Sequence, residues 1–492
     1  MNRFLFLLCL IDLIFCGNVQ ATEVQKSPYD KIYRDTLNGL EAMRDKDTSI
    51  MPDKVNWIRE SKGAAPRREL TNLFMPTNQA IDLMLLLNQN TKESQKKVTQ
   101  IVDQLSNMER FSKDESKFFY LQYLKNDSKG YTKSNREVSS VDNLHLAVAL
   151  WYASEKSDNP KTQSAAKELF KSMKFDPFIN ETTGLAHLAY VSVNNAPHIR
   201  HGQPYDFWGA ETRSIYALGV ALQLSDSQKN PREYAKKLIP HLKIECRDIP
   251  GIGPIVQTWD GGAFQFMLPE ILFNESDFSP TMKQSFQNYS KFQQAEEKRR
   301  GHGFAPSISA SQTCMPRDFY FKGAKEEYCG KIGFVALSAD QLRNEKVEGT
   351  DSREHAYTPH ALILNASLDP NAFRDDVKNL MRVNGKNASL YDPNIGFMDA
   401  YHVEGRYKDL VVPSQLSLDQ GMIALATEKI LSPDNMTGIA RLIHSKPEMK
   451  SRLKEFYAEM DLAIENKCLE ASKKSKATAE EPAKQVPPPF HN

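Results

Sequence analysis

The chain has 492 residues, of which 63 are Lys or Arg and 62 are Asp or Glu, so its formal net charge at pH 7 is +1. This balance gives no general attraction to nucleic acid or anionic lipid, and neither is expected as a partner. Hydrophobic residues make up 40% and charged residues 25% of the sequence, which excludes collagen-like, mucin-like and mostly disordered chains. The length allows about two to four domains, unless a barrel absorbs most of it in one.

The first 21 residues have the pattern of a secretory signal peptide. Arg3 precedes an apolar run that Asp12 interrupts, and Ala21 ends a small-residue cleavage pattern. The run is too short to span a bilayer, and no later stretch reaches the roughly 18 apolar residues of a spanning helix. We therefore expect an exported protein, periplasmic or secreted, without a membrane span. Lipoprotein anchoring through Cys16 is the alternative, which the bulky Phe15 before it disfavours.

Four cysteines lie beyond the signal peptide: Cys246, Cys314, Cys329 and Cys468. An even number in an exported chain permits disulfides, with three possible pairings. Cys314 and Cys329 are close in sequence and are the first predicted pair; the alternative is four free, partly buried thiols. The sequence has no Cys-x-x-Cys or His-Glu-x-x-His, and we expect no metal site and no cofactor.

Helical periodicity dominates the chain, with few alternating stretches that would predict strands. Tyr33, Leu37 and Leu40 share one face of the first helix. Short strands are expected near 250–266 and 300–322. The other predicted helices lie near residues 81–85, 98–105, 141–151, 163–174, 210–224, 231–243, 280–297, 355–365, 370–383, 418–430 and 447–467.

About twelve helices in one chain favour an all-α fold with two concentric rings of six, or a stacked helical repeat. The absence of a fixed sequence period weakens the repeat interpretation. From about residue 471 the sequence is rich in Lys, Ala and Pro, which predicts disorder. The predicted organisation is therefore a signal peptide at 1–21, one domain at 22–470 and a disordered tail at 471–492.

One segment concentrates aromatic, acidic and basic side chains in a loop that leads into a helix, and it contains Tyr205, Trp208, Glu211 and Arg213. Sugars are bound by aromatic faces that stack on C–H surfaces and by polar groups that hold hydroxyls. A carboxyl group beside an apolar ring has a raised pKa, as a general acid requires. The alternative for Glu211 is an acidic residue at a helix N-terminus, where the dipole lowers the pKa.

Two further segments combine aromatic and polar residues in predicted loops. Trp259 and Asp260, followed by two glycines, are typical of an aromatic wall with a polar tip; the alternative is a plain turn in which Asp260 bonds the local backbone. His355 and His360 are five residues apart, a poor spacing for one helical face. Contacts with a sugar are therefore expected from His355 and Tyr357 instead of a metal site.

Three aspartates lie at predicted loops or helix starts. Asp399 follows apolar residues at a predicted loop, whereas Asp142 and Asp419 lie where helices begin. For Asp142 and Asp419 the alternative is an N-terminal cap.

Seven short motifs, taken in chain order, make the sequence resemble the glycoamylase-like family. This family includes bacterial β-1,2-glucanases and is related to a domain of cyclic β-1,2-glucan synthases. The resemblance covers roughly residues 70–430. The motifs are Val-Ser-Ser-Val-Asp142, Trp208-Gly-Ala-Glu211, Trp259-Asp-Gly-Gly, Ser307-Ile-Ser-Ala-Ser311, Ala356-Tyr-Thr-Pro359, Gly396-Phe-Met-Asp399-Ala and Leu418-Asp419-Gln-Gly421.

The resemblance implies an (α/α)6 barrel and a glycoside hydrolase that acts on a β-linked glucan, foremost β-1,2-glucan. Glu211 matches the family's acidic residue in its Trp-x-x-Glu-like motif, Asp419 its Asp-Gln-Gly motif, and Asp142 its Ser-Ser-x-Asp motif. The chain departs from the family at two places, where Asp351-Ser-Arg-Glu-His replaces smaller residues and where Gln312 replaces an Asp-Gly pair. Both lie at the expected cleft, so the sugar and its linkage stay open.

Glycoside cleavage needs one carboxylic acid to protonate the leaving oxygen and a second carboxylate to activate water or attack the sugar. The predicted acid is Glu211, and Asp142, Asp399 and Asp419 compete for the second role. Inversion is expected, because a broad cleft leaves room for water between carboxyls about 6.5–9.5 Å apart. The predicted substrate contacts are Tyr205, Trp208, Arg213, Trp259, Asp260, His355, Tyr357 and Gln420.

The expected partner is an oligo- or polysaccharide, bound by a chain that acts as a monomer. Two other functions stay open from sequence. A non-catalytic glycan-binding protein of the cell envelope would keep the aromatic residues without an active acid pair. An inert helical scaffold would scatter the tryptophans and carboxylates without a shared cleft.

Overall fold

The computed structural model describes residues 27–58, 67–126, 130–193, 196–199, 204–259, 261–300, 313–315, 328–330, 356–403 and 408–480. The signal-peptide prediction for 1–21 and the Cys16 alternative lie outside these residues. The described part is mostly helical, which confirms the predicted all-α class. Its fourteen helices are α1 Pro28–Met43, α2 Pro76–Gln89, α3 Lys92–Asn107, α4 Ser140–Lys156, α5 Pro160–Lys171, α6 Arg213–Leu222, α7 Pro231–Leu238, α8 Ala263–Phe273, α9 Pro280–Arg300, α10 Pro359–Ala366, α11 Arg374–Met381, α12 Ser417–Leu431, α13 Gly438–Ser445 and α14 Pro447–Glu480.

Six of these helices, which we call the inner helices, form the centre of the molecule: α2, α4, α6, α8, α10 and α12. Helix α2 packs against α4, α4 against α6, α8 against α10, α10 against α12, and α12 returns to α2. Between α6 and α8, the Arg213 guanidinium bonds the carbonyls of Gln265 and Phe266. The inner helices are buried on nearly all sides, as in α2, where residues 76–87 are all buried.

Burial also explains why the sequence missed α8. Nine of its eleven residues are buried, including Pro269 and Glu270, so its apolar residues are not confined to one stripe. The prediction of strands near 250–266 is correct for 253–256 and wrong from Ala263 onwards. The eight-residue α13 was missed as well, because a helix this short gives little periodic signal.

The remaining helices surround the inner ones and show the expected one-sided burial. Helix α1 packs on α12, α3 and α5 pack on α2 and α4, and α14 packs on α6 and α7. In α14 the buried face is a stripe at helical spacing, whereas Leu462 and Leu469 on the same helix are exposed. The stripe consists of Leu453, Phe456, Tyr457, Met460, Ile464 and Cys468.

Short strands connect the helices in antiparallel pairs. The three-stranded sheets have the orders β19-β1-β2, β10-β9-β8 and β3-β6-β7. The strands are β1 Lys54–Ile58, β2 Arg67–Leu70, β3 Leu73–Phe74, β4 Arg110–Lys113, β5 Ser116–Phe119, β6 Tyr123–Asn126, β7 Gly130–Lys133, β8 Glu137–Ser139, β9 Ala189–Val193, β10 Ala196–Ile199, β11 Cys246–Ile249, β12 Gly253–Val256, β13 Thr313–Met315, β14 Tyr328–Gly330, β15 Ala356–Tyr357, β16 Tyr391–Asp392, β17 Gly396–Phe397, β18 Tyr401–His402 and β19 Ser414–Leu416.

A disulfide joins Cys246 on β11 to Cys468 on α14, which are 222 residues apart in sequence. The alternative of four free thiols is therefore wrong. Cys314 and Cys329 lie opposite each other in the β13–β14 ladder. Their pairing stays a prediction, although the ladder register and the other disulfide both agree with it.

Helix α14 continues to Glu480, beyond residue 471 where the disordered tail is predicted to begin, and residues 481–492 lie outside the described residues. The disordered tail stays a prediction. In the ranges that the structure describes, no helix combines the length and the apolar character that crossing a membrane requires.

Candidate active site

The inner helices begin at one end of the molecule, which we call the N-terminal end. Thr77 in the first turn of α2 bonds Asp142 in the first turn of α4. His360 in the first turn of α10 contacts Asp419 in the first turn of α12. Arg213 likewise joins the starts of α6 and α8. Helix N-termini carry partial positive charge, so this end is suited to carboxylates.

Asp142 is held by two neighbouring hydroxyl groups. The Thr77 Oγ1 donates to Asp142 Oδ1 at 2.5 Å, and the Ser139 Oγ accepts from the Asp142 amide at 3.4 Å. Burial raises the pKa of Asp142, and the hydrogen bonds from Ser139 and Thr77 oppose this rise. The N-cap of α4 is therefore Ser139, and Asp142 is a carboxyl group in the first turn whose pKa lies above its usual range.

His145, one turn after Asp142, completes this network. Its Nδ1 lies 3.2 Å from Thr77 Oγ1, and burial lowers the pKa of His145 to about 4. The imidazole is therefore neutral near pH 7. Because the Thr77 hydroxyl gives its single proton to Asp142, it accepts from Nδ1–H of His145. The three side chains form one directed chain of hydrogen bonds.

Tyr205 is near both Asp142 and Glu211. Its pKa is raised well above the usual range, mainly by burial and further by the negative charges of Glu211 and Asp142, against a hydrogen bond with the Ser139 side chain. The Tyr205 backbone is fixed by its amide, which donates to the Ala186 carbonyl at 2.7 Å. Because the charges of Asp142 and Glu211 both act on Tyr205, we call these two residues the first carboxylate group.

Glu211 lies at a pocket of about 440 Å³. The side chain is half-buried in the turn before α6. Trp259 follows the β11–β12 hairpin and supplies an aromatic wall, with its ring 5.8 Å from the Phe207 ring at 69°. The other lining residues are Leu188, Pro204, Tyr205, Asp206, Phe207, Ala210, Thr212, Lys243 and Gln265. An acid, a phenol and an indole thus surround a space of sugar size.

Asp399 and Asp419 belong to a second carboxylate group at the same end. Both are about 1% exposed. Burial and the neighbouring Asp419 charge raise the pKa of Asp399 well above its usual range. The His360 Nδ1 lies 3.2 Å from Asp419 Oδ2, and burial lowers the pKa of His360 against the opposing effect of that carboxylate. Two carboxyls this close favour a shared proton.

Asp53 is the third member of this second group, and it links the two groups. The β1–β19 ladder brings Asp53 to the start of α12, where its carbonyl accepts from the Ser417 amide at 2.9 Å. Asn78 Nδ2 donates to Asp53 Oδ1 at 3.0 Å. Burial raises the pKa of Asp53, and Asp419 adds to the rise. Because Thr77 and Asn78 are adjacent in α2, the two groups lie at the same end.

Two predicted substrate contacts are wrong, because the side chains are structural. Trp208 is fully buried and packs on Phe456 and Tyr457 of α14, with ring centroids 6.3 and 6.2 Å away. Its indole therefore does not reach the pocket. Arg213 is also fully buried and pairs with Glu275.

Gln420 and Tyr357 are also buried, each at 1% exposure. The Gln420 Nε2 donates to the Phe397 carbonyl at 2.9 Å, which fixes β17 next to Asp399. As a direct sugar contact Gln420 is therefore wrong. Tyr357 pairs with Tyr401 across the β15–β18 ladder, next to the second carboxylate group. The other two predicted contacts, Asp260 and His355, lie outside the described residues.

The sequence missed Asp53, Thr77, Asn78, His145 and His360 as members of the site. Thr77 and Asn78 carried a weak signal, because a Pro at residue 76 marks a helix start. Asp53 carried none, since only the pairing of strands far apart in sequence brings it to α12. Among the residues that the structure describes, no group of three or more His, Cys, Asp or Glu side chains is arranged to hold a metal ion.

Comparisons with known proteins find similarity in fold only. No family model matches the chain, and no curated protein sequence matches it significantly. Among solved structures, the endo-β-1,2-glucanase of Chitinophaga pinensis, in complex with sophorotriose and glucose, aligns with a TM-score of 0.61 at 13% identity, over 87% of this chain and 97% of its own.

Two other solved structures give the same result. The endo-β-1,2-glucanase of Talaromyces funiculosus, in complex with sophorose, has a TM-score of 0.63 at 12% identity, over 89% of this chain and 90% of its own. The β-1,2-glucanase of Parabacteroides distasonis has a TM-score of 0.53 at 11% identity, over 87% of this chain and 59% of its own. The chain therefore has the fold of these glucanases, as its resemblance to the glycoamylase-like family implies.

Proposed function

We propose that the chain is a glycoside hydrolase that cleaves a β-glucan, with β-1,2-glucan as its substrate. The observation that carries this proposal is a pocket lined by Glu211, Tyr205 and Trp259, with Asp142 near enough for its charge to raise the pKa of Tyr205. Acid, base and aromatic platform are the three parts that glycoside cleavage needs.

Glu211 is the general acid in this proposal. It is half-buried and borders the pocket, so it can reach the oxygen of a bound glycosidic bond. In the first step Glu211 gives its proton to that oxygen while the bond to the anomeric carbon breaks. The charge of Glu211 adds to the effect of burial on the pKa of Tyr205, so the Tyr205 hydroxyl stays protonated.

Asp142 is the first candidate for the general base. It is the partly buried carboxylate whose charge, like that of Glu211, acts on Tyr205, and burial raises its own pKa above the usual range, as suits a general base. Asp399 and Asp419 are almost completely buried, and burial together with the Asp419 charge raises the pKa of Asp399 well above its usual range. In our proposal the second carboxylate group has a structural role next to the site and does not act as the base.

We further propose inversion of the anomeric carbon. Asp142 lies at the start of α4 and Glu211 in the turn before α6, and the charges of both act on Tyr205. In our proposal a water molecule fits between the two carboxyl groups. Inverting enzymes need a separation of about 6.5–9.5 Å, compared with about 5–5.5 Å in retaining enzymes. Water activated by Asp142 would then attack the anomeric carbon from the face opposite Glu211.

The choice of β-1,2-glucan rests on two observations. The seven sequence motifs lie in the order of a family that contains β-1,2-glucanases, and the chain has the fold of glucanases solved with sophorose and sophorotriose. The contacts of the inner helices support the (α/α)6 barrel in which such sites are built. The fully buried Trp208 leaves Trp259 as the indole that lines the pocket.

We propose an exported location, periplasmic or secreted. The sequence of residues 1–21 supports it. The Cys246–Cys468 disulfide supports it independently, because disulfides persist in oxidising compartments.

The test is a screen of purified protein against β-1,2-, β-1,3- and β-1,4-glucans, with products sized and reducing ends counted. We expect short oligosaccharides from β-1,2-glucan. Proton NMR of the first products should show the α-anomer if the reaction inverts. Binding of β-1,2-glucan without release of reducing ends would contradict the hydrolase and favour a glycan-binding protein.

The base is assigned by comparing Asp142→Asn with Asp399→Asn. We expect sugar release to fall about 10²–10⁴-fold for Asp142→Asn, since the water loses its proton acceptor. Added azide should restore part of the activity by replacing the missing carboxylate. If azide rescues Asp399→Asn instead, the base belongs to the second carboxylate group.

A further inference from the structure

The segment that carries Glu211 is anchored by a fully buried ion pair. Arg213 and Glu275 are both 0% exposed, and Arg213 Nη2 lies 2.7 Å from Glu275 Oε2, with Arg213 Nε 2.9 Å from Oε1. The contact is therefore a two-pronged one with fixed geometry. Such a pair is poor support for stability by itself, because desolvation of both charges offsets their attraction.

The remaining guanidinium donors hold the backbone directly before Glu211. Arg213 Nη1 donates to the carbonyls of Ala210 at 3.0 Å and Gly209 at 3.3 Å. The same guanidinium donates to the Gln265 carbonyl at 3.2 Å and to the Phe266 carbonyl at 2.6 Å in α8. One side chain thus fixes the turn of the proposed acid against the neighbouring inner helix.

The turn is also fixed from the side of Trp259. A Cβ added to Gly209 would lie 1.7 Å from the Gln257 carbonyl oxygen, so the two backbones touch and only glycine fits. Gln257 precedes Trp259 by two residues. The close contact at Gly209 therefore fixes the turn that carries Glu211 against the segment that carries Trp259.

Helix α14 contacts the Arg213–Glu275 ion pair and the loop before Glu211. The Tyr457 hydroxyl donates to Glu275 Oε1 at 2.7 Å. Trp208, three residues before Glu211, packs on Phe456 and Tyr457. The C-terminal helix thus contacts both the anion that holds Arg213 and the loop that carries the proposed acid.

We propose that Arg213, oriented by Glu275 and Tyr457, is a positioning residue that sets where the Glu211 carboxyl lies relative to bound substrate. This inference rests on the proposed function, in which Glu211 protonates the leaving oxygen. A displacement of about 1 Å at a reacting group can lower a rate about 10²-fold. Fixing the backbone through several donors on one rigid guanidinium limits such displacements.

A second buried ion pair in the same region gives a matched control. Glu270, five residues before Glu275, is 2% exposed and lies 3.1 Å from the ammonium of Lys429. Its carboxylate also accepts from the Ser276 amide at 2.8 Å. The described contacts of this pair do not include the turn of Glu211. Glu270→Gln and Glu275→Gln therefore make the same chemical change with different connections.

The experiment compares kcat, KM and melting temperature of the two variants on the glucan that the wild type cleaves. We expect Glu275→Gln to lower kcat about 10- to 100-fold with KM changed by less than about threefold. Glu270→Gln should lower the melting temperature comparably and keep kcat within about twofold. Equal losses of kcat in both variants would overturn the inference.

A readout that does not need turnover separates this inference from the proposed function. The Glu211 carboxyl is followed by carbon-13 NMR in glutamate-labelled protein, with its signal assigned by its loss in Glu211→Gln. We expect Glu275→Gln to move the Glu211 titration midpoint by at least about half a pH unit, and Glu270→Gln to leave it in place. An unmoved midpoint in Glu275→Gln contradicts the positioning role, whether or not the wild type cleaves glucan.

Tyr457→Phe keeps the test decisive if Glu275→Gln does not fold. This change removes one hydroxyl group and leaves the ring packing on Trp208 intact. We expect a smaller change in the same direction, with kcat lowered about threefold. Wild-type kcat and an unmoved Glu211 midpoint in Tyr457→Phe would also count against the inference.

Discussion

The two ends of the inner helices differ in chemistry, although the same helices build both. Each end has a pocket, of about 440 Å³ beside Glu211 and about 370 Å³ beside Glu428, where α2, α4 and α12 end. Glu428 accepts from Asn88 Nδ2 at 2.7 Å and from the Gly438 amide at 2.8 Å, so each carboxylate oxygen has a donor. At the N-terminal end, Asp399 lies instead beside another carboxyl, that of Asp419.

The difference shows that a cavity alone does not identify a site. Burial raises the pKa of Glu428 as well, but its hydrogen bonds and Arg441 oppose the rise. For Asp399 the neighbouring Asp419 adds to the effect of burial. Carboxyl groups that a fold buries next to each other destabilise it, and they occur where function requires them. Four experiments test this difference between the two ends.

The largest change in activity is expected from replacing one glutamate at each end, Glu211 or Glu428, by Gln. Glu211→Gln should lower sugar release about 10²–10⁴-fold, because the leaving oxygen loses its proton donor. Glu428→Gln should keep kcat within about threefold and lower the melting temperature, since one of its hydrogen-bond acceptors becomes a donor. The measurement is reducing-end release for both variants, beside circular dichroism as a control for folding. Comparable loss of kcat in the two variants would contradict the assignment.

The next effect distinguishes the half-buried Trp259 at the pocket from the fully buried Trp208. Trp259→Ala should raise KM roughly tenfold, equal to about 1.4 kcal/mol of lost stacking, with the melting temperature little changed. Trp208→Ala should instead destabilise the fold by about 3–5 kcal/mol, because it empties a packed space against α14. Kinetics and thermal melts of both variants distinguish the two roles. A raised KM with normal stability in Trp208→Ala would contradict this assignment of the two roles.

A third experiment uses His145, whose pKa is about 4 in the folded chain. In the unfolded chain its pKa is about 6.5, so the unfolded state binds the proton first as pH falls. His145 therefore removes stability as pH falls from about 6.5 toward 4, by up to about 1.4 kcal/mol per pH unit. His145→Gln should flatten this dependence in urea unfolding at several pH values. An unchanged slope would mean that His145 is not buried as a neutral ring.

The smallest effect is a gain of stability at the N-terminal end. The pKa of Asp399 is raised on folding, so its contribution to stability is present below pH 4 and is lost as pH rises through the folded value. Asp399→Asn should therefore raise the melting temperature at pH 7.5 by roughly 2 °C, with no gain at pH 4. Thermal melts at the two pH values test this, and a lower melting temperature at pH 7.5 would contradict it.

How far the sequence predicts the fold depends on how each helix is buried. Outer helices such as α14 bury one face, and their apolar stripe is visible as a period. Helix α8 is buried on nearly all sides, so its sequence lacks a period, and Pro269 argues against a helix. This helix was therefore missed, whereas the other five inner helices were predicted.

The site was predictable where residues are neighbours in sequence. Tyr205 and Glu211 lie in one segment, and both border the pocket. Trp208 and Trp259 looked alike in sequence, and only the packing of α14 assigns one to the core and one to the pocket. The place of Asp53 depends on a ladder between strands about 360 residues apart, which local patterns cannot encode.

The disulfide between Cys246 and Cys468 gives biosynthesis an order. Cys468 lies in the final helix, while Cys246 lies on the hairpin that leads to Trp259. A ribosome must therefore add 222 residues after Cys246 before this crosslink can close. Cys314 and Cys329 emerge in that interval, so correct maturation requires Cys246 to remain reduced while two other thiols become available.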